Sequence, residues 1–532
     1  MSGKKAVVLF LLSVIGIAGF SAENEFSARL APVFEAPLSM SNFGPGIGAS
    51  AALEWAFLPF LGVSAEGGII NLGVKDGSTF NMVKGGAGIF YRLRPFERWT
   101  FRGDARAGIY RYRWEKYENT KPKISAALSA EFHITPYLSL YGEGAFNWQM
   151  FSDAGSLNTL GAGIGLRFNL SELMTGGYAR VRGEKTEQKN IFPVFYAWYS
   201  ENPFAAVRIV NSEPNTVTNV SVLLSLDQFL GQPDEFARAA ALKPGEAIEF
   251  PVTARFNESI LGITDNIIVS GKILVRYSSL GMKKETSFPV QFPVFHRNAL
   301  TWDDDRRAAS YVSVKDPAAR LFARYAASAA DGQPFYNIPR NIGYAAAIFE
   351  ALKVYGIKYV IDPLSSYVEM SADTLALDYV SYPYQTLYFR SGDCDDLSVL
   401  FCSLLQILGI NTAFITVPGH IYAAFETGIP SDTPAGKNVP AEELIDYGGQ
   451  YWAPVEITLL GGDFYLAWRT GYSEWRANPN DRQFYPMKEN WAVYQAVNVP
   501  ATSDWLPDLP DADELRKVFI PVLNKLKGVF SR

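Results

Sequence analysis

A two-residue alternation over the first third of the chain limits its fold more than any other feature of the sequence. Between about Phe26 and Leu170, eight segments place apolar or small residues at every second position, and none of these positions is charged. Since side chains alternate between the two faces of a strand, the pattern predicts eight strands with one apolar and one charged face. The other positions hold charges of both signs: Arg29, Glu54, Glu66, Lys84, Arg92, Arg102, Asp104, Arg106, Glu131, Glu143 and Arg167.

Two kinds of connection join these segments. Longer polar loops are predicted near Asp76-Gly77, from Glu115 to Lys123 and from Ser152 to Asn158, and short turns alternate with them at Pro59-Phe60, Pro95-Phe96 and Pro136-Tyr137. An apolar outside, a polar inside and short turns on one rim are typical of membrane barrels. Residues 25–170 therefore resemble small outer-membrane barrels of the OmpA/OmpX type, which implies contact with outer-membrane lipid. A soluble lipocalin-like barrel with the two faces inverted is the alternative.

The start of the chain has the features of an export signal. Lys4 and Lys5 precede an apolar run from Ala6 to Phe20 and small residues at Ser21 and Ala22. The pattern predicts a signal peptide over residues 1–22, with an uncleaved anchor as the alternative. An even number of strands returns both ends of a barrel to one side, so we expect everything after the barrel to lie in the periplasm.

The remaining residues divide into a β-rich part and an α+β part. We expect a linker over 171–190, an immunoglobulin-like β-sandwich over 191–298, an α+β domain over 300–505 and a terminal helix over 506–532. The 532-residue chain has a net charge of −6 and no concentrated basic segment, which argues against a nucleic-acid partner. The sandwich strands are predicted at Phe195-Tyr199, Ala205-Val210, Val217-Leu224, Ala247-Ala254, Asn266-Tyr277 and Thr286-Phe295.

The two cysteines lie eight residues apart in a segment with helical periodicity. That spacing separates them by about 12 Å along a helix, too far for a disulfide. Cys402 falls beside the apolar stripe and is expected in the core. Asp393 is a helix-capping residue, so Cys394 belongs to the first turn. There the helix dipole and free N–H groups are expected to lower the pKa of the thiol and to stabilise an oxyanion.

A thiol nucleophile needs a base, and His420 is the only histidine of the last third. It follows a predicted strand over residues 412–417 and opens a second strand over 421–425. The orienting group of the imidazole is expected to be Glu456, with Asp446 and Asp463 as nearby competitors.

These segments carry a second resemblance. Residues 392–396 (Gly-Asp-Cys-Asp-Asp), 409–410 (Gly-Ile), 419–420 (Gly-His) and 452–458 (Trp-Ala-Pro-Val-Glu-Ile-Thr) resemble the transglutaminase-like, papain-related thiol fold. The resemblance covers roughly residues 300–500. It implies that Cys394 is the nucleophile, His420 the base and Glu456 the orienting acid, where the family most often has Asp. It also suggests Gln385 and Tyr384 as oxyanion donors.

The function predicted from these features is a thiol enzyme anchored in the outer membrane. It would act on peptide or amide bonds of periplasmic proteins or cell-wall peptides, by hydrolysis. Transfer of the acyl group to an amine, which crosslinks proteins, is one alternative, and a catalytically silent scaffold or binding protein is another. A pore is disfavoured because side chains fill an eight-stranded lumen. No cofactor is expected, and without a calcium-type loop no metal is expected either.

Overall fold

The computed structural model describes residues 25–531 except 153–154, 175–178, 336, 362–372, 374, 434–438 and 500–504. The predicted signal peptide lies outside the described residues. The first eight strands form a closed antiparallel barrel in chain order, which confirms the eight-stranded up-and-down barrel. They are β1 (Glu25–Pro37), β2 (Phe43–Leu58), β3 (Leu61–Val74), β4 (Thr79–Phe96), β5 (Trp99–Trp114), β6 (Tyr117–His133), β7 (Leu138–Ser152) and β8 (Gly155–Asn169).

The two faces of the barrel have the predicted orientation. Leu128 on the outside is 74% exposed, and Ile47 and Ile164 are also exposed. Glu54 and Arg102 point inward and are buried. This arrangement is the opposite of a lipocalin-like barrel with an apolar cavity.

Ion pairs hold the interior charges together. Glu54, whose side chain is inaccessible, accepts hydrogen bonds from Arg29 at 3.4 Å, Arg102 at 2.5 Å and Arg167 at 3.0 Å. Each arginine also reaches a further carboxylate, such as Glu143, which lies 2.6 Å from Arg29. Buried charges require such partners because desolvation without them costs several kcal/mol per ion.

Two predicted loops of the barrel are wrong. The predicted loop over residues 152–158 is absent, because β7 and β8 pair from Trp148 opposite Asn158 to Ser152 opposite Gly155. Residues 115–123 do not form a long loop, because β5 and β6 stay paired as far as Trp114 and Tyr117. Only Glu115 and Lys116 form the turn, with Glu115 in the left-handed region at φ 50°. The polar residues that suggested a loop therefore belong to this turn and to the start of β6.

Two sheets follow the barrel and share one core. A short helix, α1 (Leu170–Met174), precedes them, and the strands are β9 (Val181–Gln188), β10 (Ala205–Asn211), β11 (Val217–Ser225), β12 (Asp234–Leu242), β13 (Ala247–Val252), β14 (Ile267–Ser279) and β15 (Met282–Val294). The two sheets have the strand orders β13-β10-β9 and β12-β11-β14-β15. Whether they are immunoglobulin-like stays a prediction.

Three expectations for this region differ from the structure. Part of the predicted linker forms β9, which pairs with β10. The predicted strand Phe195-Tyr199 instead falls in two 3₁₀ turns, Pro193–Phe195 and Trp198–Ser200, since Pro193 starts the first one. Strand β12 was not predicted, because it lies at a sheet edge and shows no apolar alternation.

The last part of the described chain combines helices with a five-stranded sheet. Its helices are α2 (Pro317–Asp331), α3 (Arg340–Tyr355), α4 (Pro383–Phe389), α5 (Cys394–Ile407), α6 (Phe464–Ala477), α7 (Met487–Trp491) and α8 (Ala512–Val529). Its strands are β16 (Ala299–Leu300), β17 (Lys358–Tyr359), β18 (Asp378–Tyr379), β19 (Ser391–Gly392), β20 (Thr412–Val417), β21 (His420–Pro430), β22 (Ile445–Tyr447), β23 (Gln450–Val455) and β24 (Gln483–Pro486). The order of strands in the five-stranded sheet is β22-β23-β21-β20-β24.

Helix α5 packs against strand β21, and this contact positions the candidate site. The terminal helix α8 buries Leu515, Phe519 and Leu526 and also packs on helix α3, so it belongs to the core of this part. Within the described residues, no helix has the length and apolar character needed to cross a bilayer.

Candidate active site

Helix α5 begins at Cys394 because Asp393 caps it. The Asp393 carboxylate accepts a hydrogen bond from the backbone N–H of Asp396 at 3.4 Å. The Asp396 carboxylate in turn accepts from the N–H of Ser381 at 2.6 Å, which ties the helix tip to the segment before α4. Cys394 therefore occupies the first turn, as predicted. Both cysteines are buried and free, so the expected absence of a disulfide is also confirmed.

The thiol of Cys394 is held next to strand β21. The backbone N–H groups of Ile421 and Asp395 donate toward its sulfur. Ser398, one turn further along α5, donates to the carbonyl of Cys394 at 2.6 Å and approaches the carbonyl of Ile421 at 3.5 Å. The nucleophile candidate therefore lies beside the peptide that joins His420 to Ile421.

The expected lowering of the Cys394 pKa is wrong. Burial raises the pKa of the thiol far above its ordinary value, and the negative charges of Asp393 and Glu456 raise it further. The N–H groups of Ile421 and Asp395 oppose this effect without overcoming it. Only 4% of Cys394 is exposed, so desolvation of a thiolate outweighs the helix dipole. At neutral pH the resting group is a thiol.

His420 opens strand β21 directly after the turn at Pro418 and Gly419. Gly419 has φ 74°, a left-handed conformation that glycine adopts without strain. The turn reverses the chain, so that Val417 pairs with His420. The hairpin thus places the imidazole at the end of the sheet nearest the tip of α5.

Glu456 follows the last residue of β23, which pairs with β21. Its Oε2 lies 2.6 Å from Nε2 of His420, and its Oε1 accepts from the N–H of Thr458 at 3.1 Å and the Thr458 hydroxyl at 2.5 Å. The carboxylate is therefore fixed on both oxygens. Because Glu456 contacts Nε2, Nδ1 is the nitrogen that the imidazole keeps for another partner.

The His420–Glu456 pair has the protonation tendencies of an ion pair. Burial by itself lowers the pKa of His420, but the hydrogen bond and charge of Glu456, with contributions from Glu474 and Asp393, raise it above its ordinary value. Burial by itself raises the pKa of Glu456, and the bonds from His420 and Thr458 lower it below the ordinary value. The carboxylate therefore stays ionised and keeps the imidazole protonated to higher pH.

The competing residues have other partners. Asp463 caps helix α6 and pairs with Lys525 at 2.8 Å, and Asp446 lies in the edge strand β22. Gln385 accepts from the N–H of Tyr382 at 2.9 Å and from Asn298 at 2.7 Å.

Tyr384, the second predicted oxyanion donor, accepts a hydrogen bond from Arg297 at 2.9 Å. The polar atoms of Gln385 and Tyr384 are thus engaged elsewhere. The donors that face the thiol are the N–H groups of Ile421 and Asp395.

Two further residues of the site could not be predicted from the sequence. Glu474 on helix α6 has its Oε2 3.8 Å from Nε2 of His420. Tyr359 lies in β17 opposite Gly392, and its phenol has a pKa raised by burial and by Cys394, Asp393 and Glu456. Neither belongs to a motif, since only the fold brings them to the site.

The surroundings of the thiol are strongly acidic. Asp395 is fully buried, and burial together with the negative charges of Asp393, Asp396 and Asp378 raises its pKa well above the ordinary range. Burial and Asp393 raise the pKa of Asp396 to about 8. These carboxyls therefore carry protons at neutral pH.

Two groups of side chains contain metal-binding atom types. In each group, the potential ligand atoms lie within 4.8 Å of one another. A carboxyl must lose its proton to bind a metal, and Asp395 and Glu474 both hold theirs more strongly than usual. The absence of a metal requirement stays a prediction. The groups are Asp393, Cys394 and Asp395, and His420, Glu456 and Glu474.

Comparison with solved structures finds similarity between the barrel and outer-membrane β-barrels. No protein-family model and no curated protein matches the chain. Among solved structures, it aligns with Neisserial surface protein A at 12% identity, over 27% of this chain and 96% of that chain, with a TM-score of 0.23. The Yersinia pestis outer membrane protein Ail aligns at 18% identity, over 27% of this chain and 100% of that chain, with a TM-score of 0.20. The N-terminal β-barrel domain of Pseudomonas aeruginosa OprF aligns at 11% identity, over 27% of this chain and 100% of that chain, with a TM-score of 0.20.

Proposed function

We propose that this chain is a thiol enzyme of the outer membrane that hydrolyses peptide or amide bonds in the periplasm. The observation that carries the proposal is the 2.6 Å contact between His420 and Glu456 beside a cysteine at a helix N-terminus. A nucleophile, a base and a carboxylate that orients the base are the groups that acyl transfer through a covalent intermediate requires. The transglutaminase-like resemblance of the sequence agrees with this set.

The protonated resting state of Cys394 favours a reaction in which His420 acts as a general base. In the form with a neutral imidazole, which is populated above the raised pKa of His420, the proton of the Cys394 thiol passes to Nδ1 of His420 as the sulfur attacks the carbonyl carbon. The C–N bond then breaks, and His420 returns the proton to the leaving amine. Water attacks the resulting thioester, with His420 again as base, and releases the acid. The N–H groups of Ile421 and Asp395 would stabilise the oxyanion at each addition step.

The outside of the barrel supports the membrane part of the proposal. Exposed Leu, Ile, Val, Phe and Tyr side chains alternate along all eight strands, and the charged side chains of the paired network around Glu54 face inward. A contiguous apolar surface of this extent is far larger than soluble monomers expose.

The acyl-enzyme is the direct test of the enzymatic part. The full-length protein in detergent micelles is treated with p-nitrophenyl acetate and digested, and the acetylated residue is identified by mass spectrometry. We expect acetyl on Cys394 in the wild type and in the matched control Cys402→Ser, and none in Cys394→Ser. His420→Ala should slow acetylation by about 10²- to 10⁴-fold, the usual contribution of a general base. An added primary amine separates transfer from hydrolysis by competing with water.

Two outcomes would contradict the proposal. If Cys394 reacts no faster than free cysteine, or if His420→Ala leaves its rate unchanged, the triad is not functional. The near-complete burial of Cys394 is the observation that favours the alternative, a silent scaffold, and either outcome would support it. For the membrane part, the protein should fractionate with outer membranes, and a freely soluble full-length protein would refute that placement.

A further inference from the structure

A second carboxyl group lies against His420. Oε2 of Glu474 is 3.8 Å from the same Nε2 atom that contacts Glu456 at 2.6 Å. The ligand atoms of His420, Glu456 and Glu474 all lie within 4.8 Å of one another. Two carboxyl groups therefore lie on the Nε2 side of the same imidazole.

The backbone explains how Glu474 reaches this position. Helix α6 crosses the end of β23 at Gly471, where a Cβ atom would lie 3.0 Å from the carbonyl carbon of Pro454 and 3.1 Å from the nitrogen of Glu456. The N–H of Glu456 donates to the carbonyl of Ala467 at 3.0 Å, and the hydroxyl of Tyr422 donates to the carbonyl of Gly471 at 3.1 Å. Glu474 lies one turn beyond this close approach.

The hydrogen bonding of Glu474 indicates a proton on it. Its Oε2 is buried, and no donor from the described residues reaches it. A buried carboxylate oxygen without a donor costs about 1–3 kcal/mol or more, whereas a carboxylic acid supplies its own donor. Two neighbouring carboxylates also do not both ionise readily, because like charges repel. An O–H group of Glu474 that donates to Glu456 satisfies both conditions.

We propose that Glu474 is a positioning residue of the triad, whose carboxyl shares one proton with Glu456 and thereby sets how strongly the pair holds the proton of His420. This inference rests on the proposed function of Cys394, His420 and Glu456. When Glu474 is neutral, its O–H weakens the hold of Glu456 on the imidazole. When Glu474 ionises, a second negative charge beside Nε2 strengthens that hold.

The groups that face Glu474 agree with this role. Burial and the charge of Glu456 raise the pKa of Glu474 to about 7, so the shared proton is exchanged in the neutral range. The other titratable or charged groups around this cluster are His420 and Tyr422 on β21, Asp393 and Cys394 at the tip of α5, Tyr359 on β17, and Arg482, which lies over the Trp475 ring and donates to its carbonyl.

The variant Glu474→Gln keeps the size and hydrogen-bonding ability of the side chain but cannot ionise. The full-length protein, labelled with ¹³C in its histidines, is titrated in detergent micelles, and the His420 signal is assigned with His420→Gln. We expect two overlapping steps for His420 in the wild type. In Glu474→Gln we expect one step, with its midpoint lower by about one pH unit, the low end of the effect of a charge at this distance. The rate of Cys394 alkylation by iodoacetamide also depends on pH, and the midpoint on the acidic side of that curve should move by the same amount as the His420 midpoint.

The matched control is Glu443→Gln. Glu443 also contacts helix α6, through Tyr465 at 2.9 Å and Arg469 at 3.2 Å, and it should leave the His420 titration unchanged. A single step in the wild type, or identical midpoints in wild type and Glu474→Gln, would overturn the inference. The wild-type titration decides the matter even if the variant does not fold. A shifted midpoint without acetylation of Cys394 would refute the proposed function and leave the coupling intact.

Discussion

The buried ion-pair network of the barrel gives the most quantitative stability prediction, for the variant Glu54→Gln. The Glu54 side chain is inaccessible and accepts bonds from Arg29, Arg102 and Arg167. Breaking a buried ion pair costs about 3–5 kcal/mol because the remaining charge stays desolvated. Each of the three arginines keeps another carboxylate partner, so we expect the low end of that range, about 3 kcal/mol.

The control variant is Glu118→Gln. Glu118 pairs with Arg111 at 2.6 Å, but the two side chains are 37% and 65% exposed. Removing such a pair costs about 0–1 kcal/mol. Urea unfolding of the full-length protein in detergent micelles, followed by the migration of the compact form on gels, measures both. If Glu54→Gln is no less stable than Glu118→Gln, the barrel interior is not a dry network of paired charges.

Two further predictions concern the site. Folding lowers the pKa of Glu456 from 4.5 and raises the pKa of His420 from 6.5. The ion pair therefore contributes its full stabilisation of the folded state between pH 4.5 and pH 6.5. The contribution falls as pH drops through the folded pKa of Glu456 and as pH rises through that of His420. The stability lost in Glu456→Gln, about 1.5–3 kcal/mol, should therefore be largest near pH 5–6.5, and a pH-independent loss would contradict the ion pair. Gly471→Ala should force α6 away from Glu456 and cost about 1–3 kcal/mol from overpacking, with slower alkylation of Cys394. Gly528→Ala in helix α8, where nothing lies within 4 Å, should instead stabilise the protein, and equal effects of the two variants would refute the close approach.

Local periodicity was sufficient to predict much of the fold. The alternation of the barrel predicts its strands and the inward direction of Glu54, because one face of each strand had to be apolar. Helix α5 was equally predictable, from Asp393 at its start and Gly409, with φ 77°, after its end. Strand β12 was not, because it lies at a sheet edge and its mostly half-buried residues show no apolar alternation.

Some features of the candidate site could also be predicted from the sequence, and others could not. The pairing of Cys394 with His420 could be proposed because the last third of the chain offers no other histidine. The pKa of the thiol could not be predicted, since it depends on burial and on the approach of Glu456 from another strand. Glu474 was unpredictable for a similar reason, because its distance from His420 follows from the contact at Gly471.

In the proposed periplasmic placement, the acidic surroundings of Cys394 have a consequence for the reactivity of its thiol. Oxidation and disulfide exchange proceed through the thiolate, and the periplasm is an oxidising compartment. Burial and the charges of Asp393 and Glu456 keep Cys394 protonated at rest, so in the proposed reaction the thiol would be protected until His420 removed its proton. The same features that slow unwanted oxidation make the reaction depend on the basicity of His420. Control of that basicity by Glu456 and Glu474 is therefore what an enzyme with a protected thiol would require.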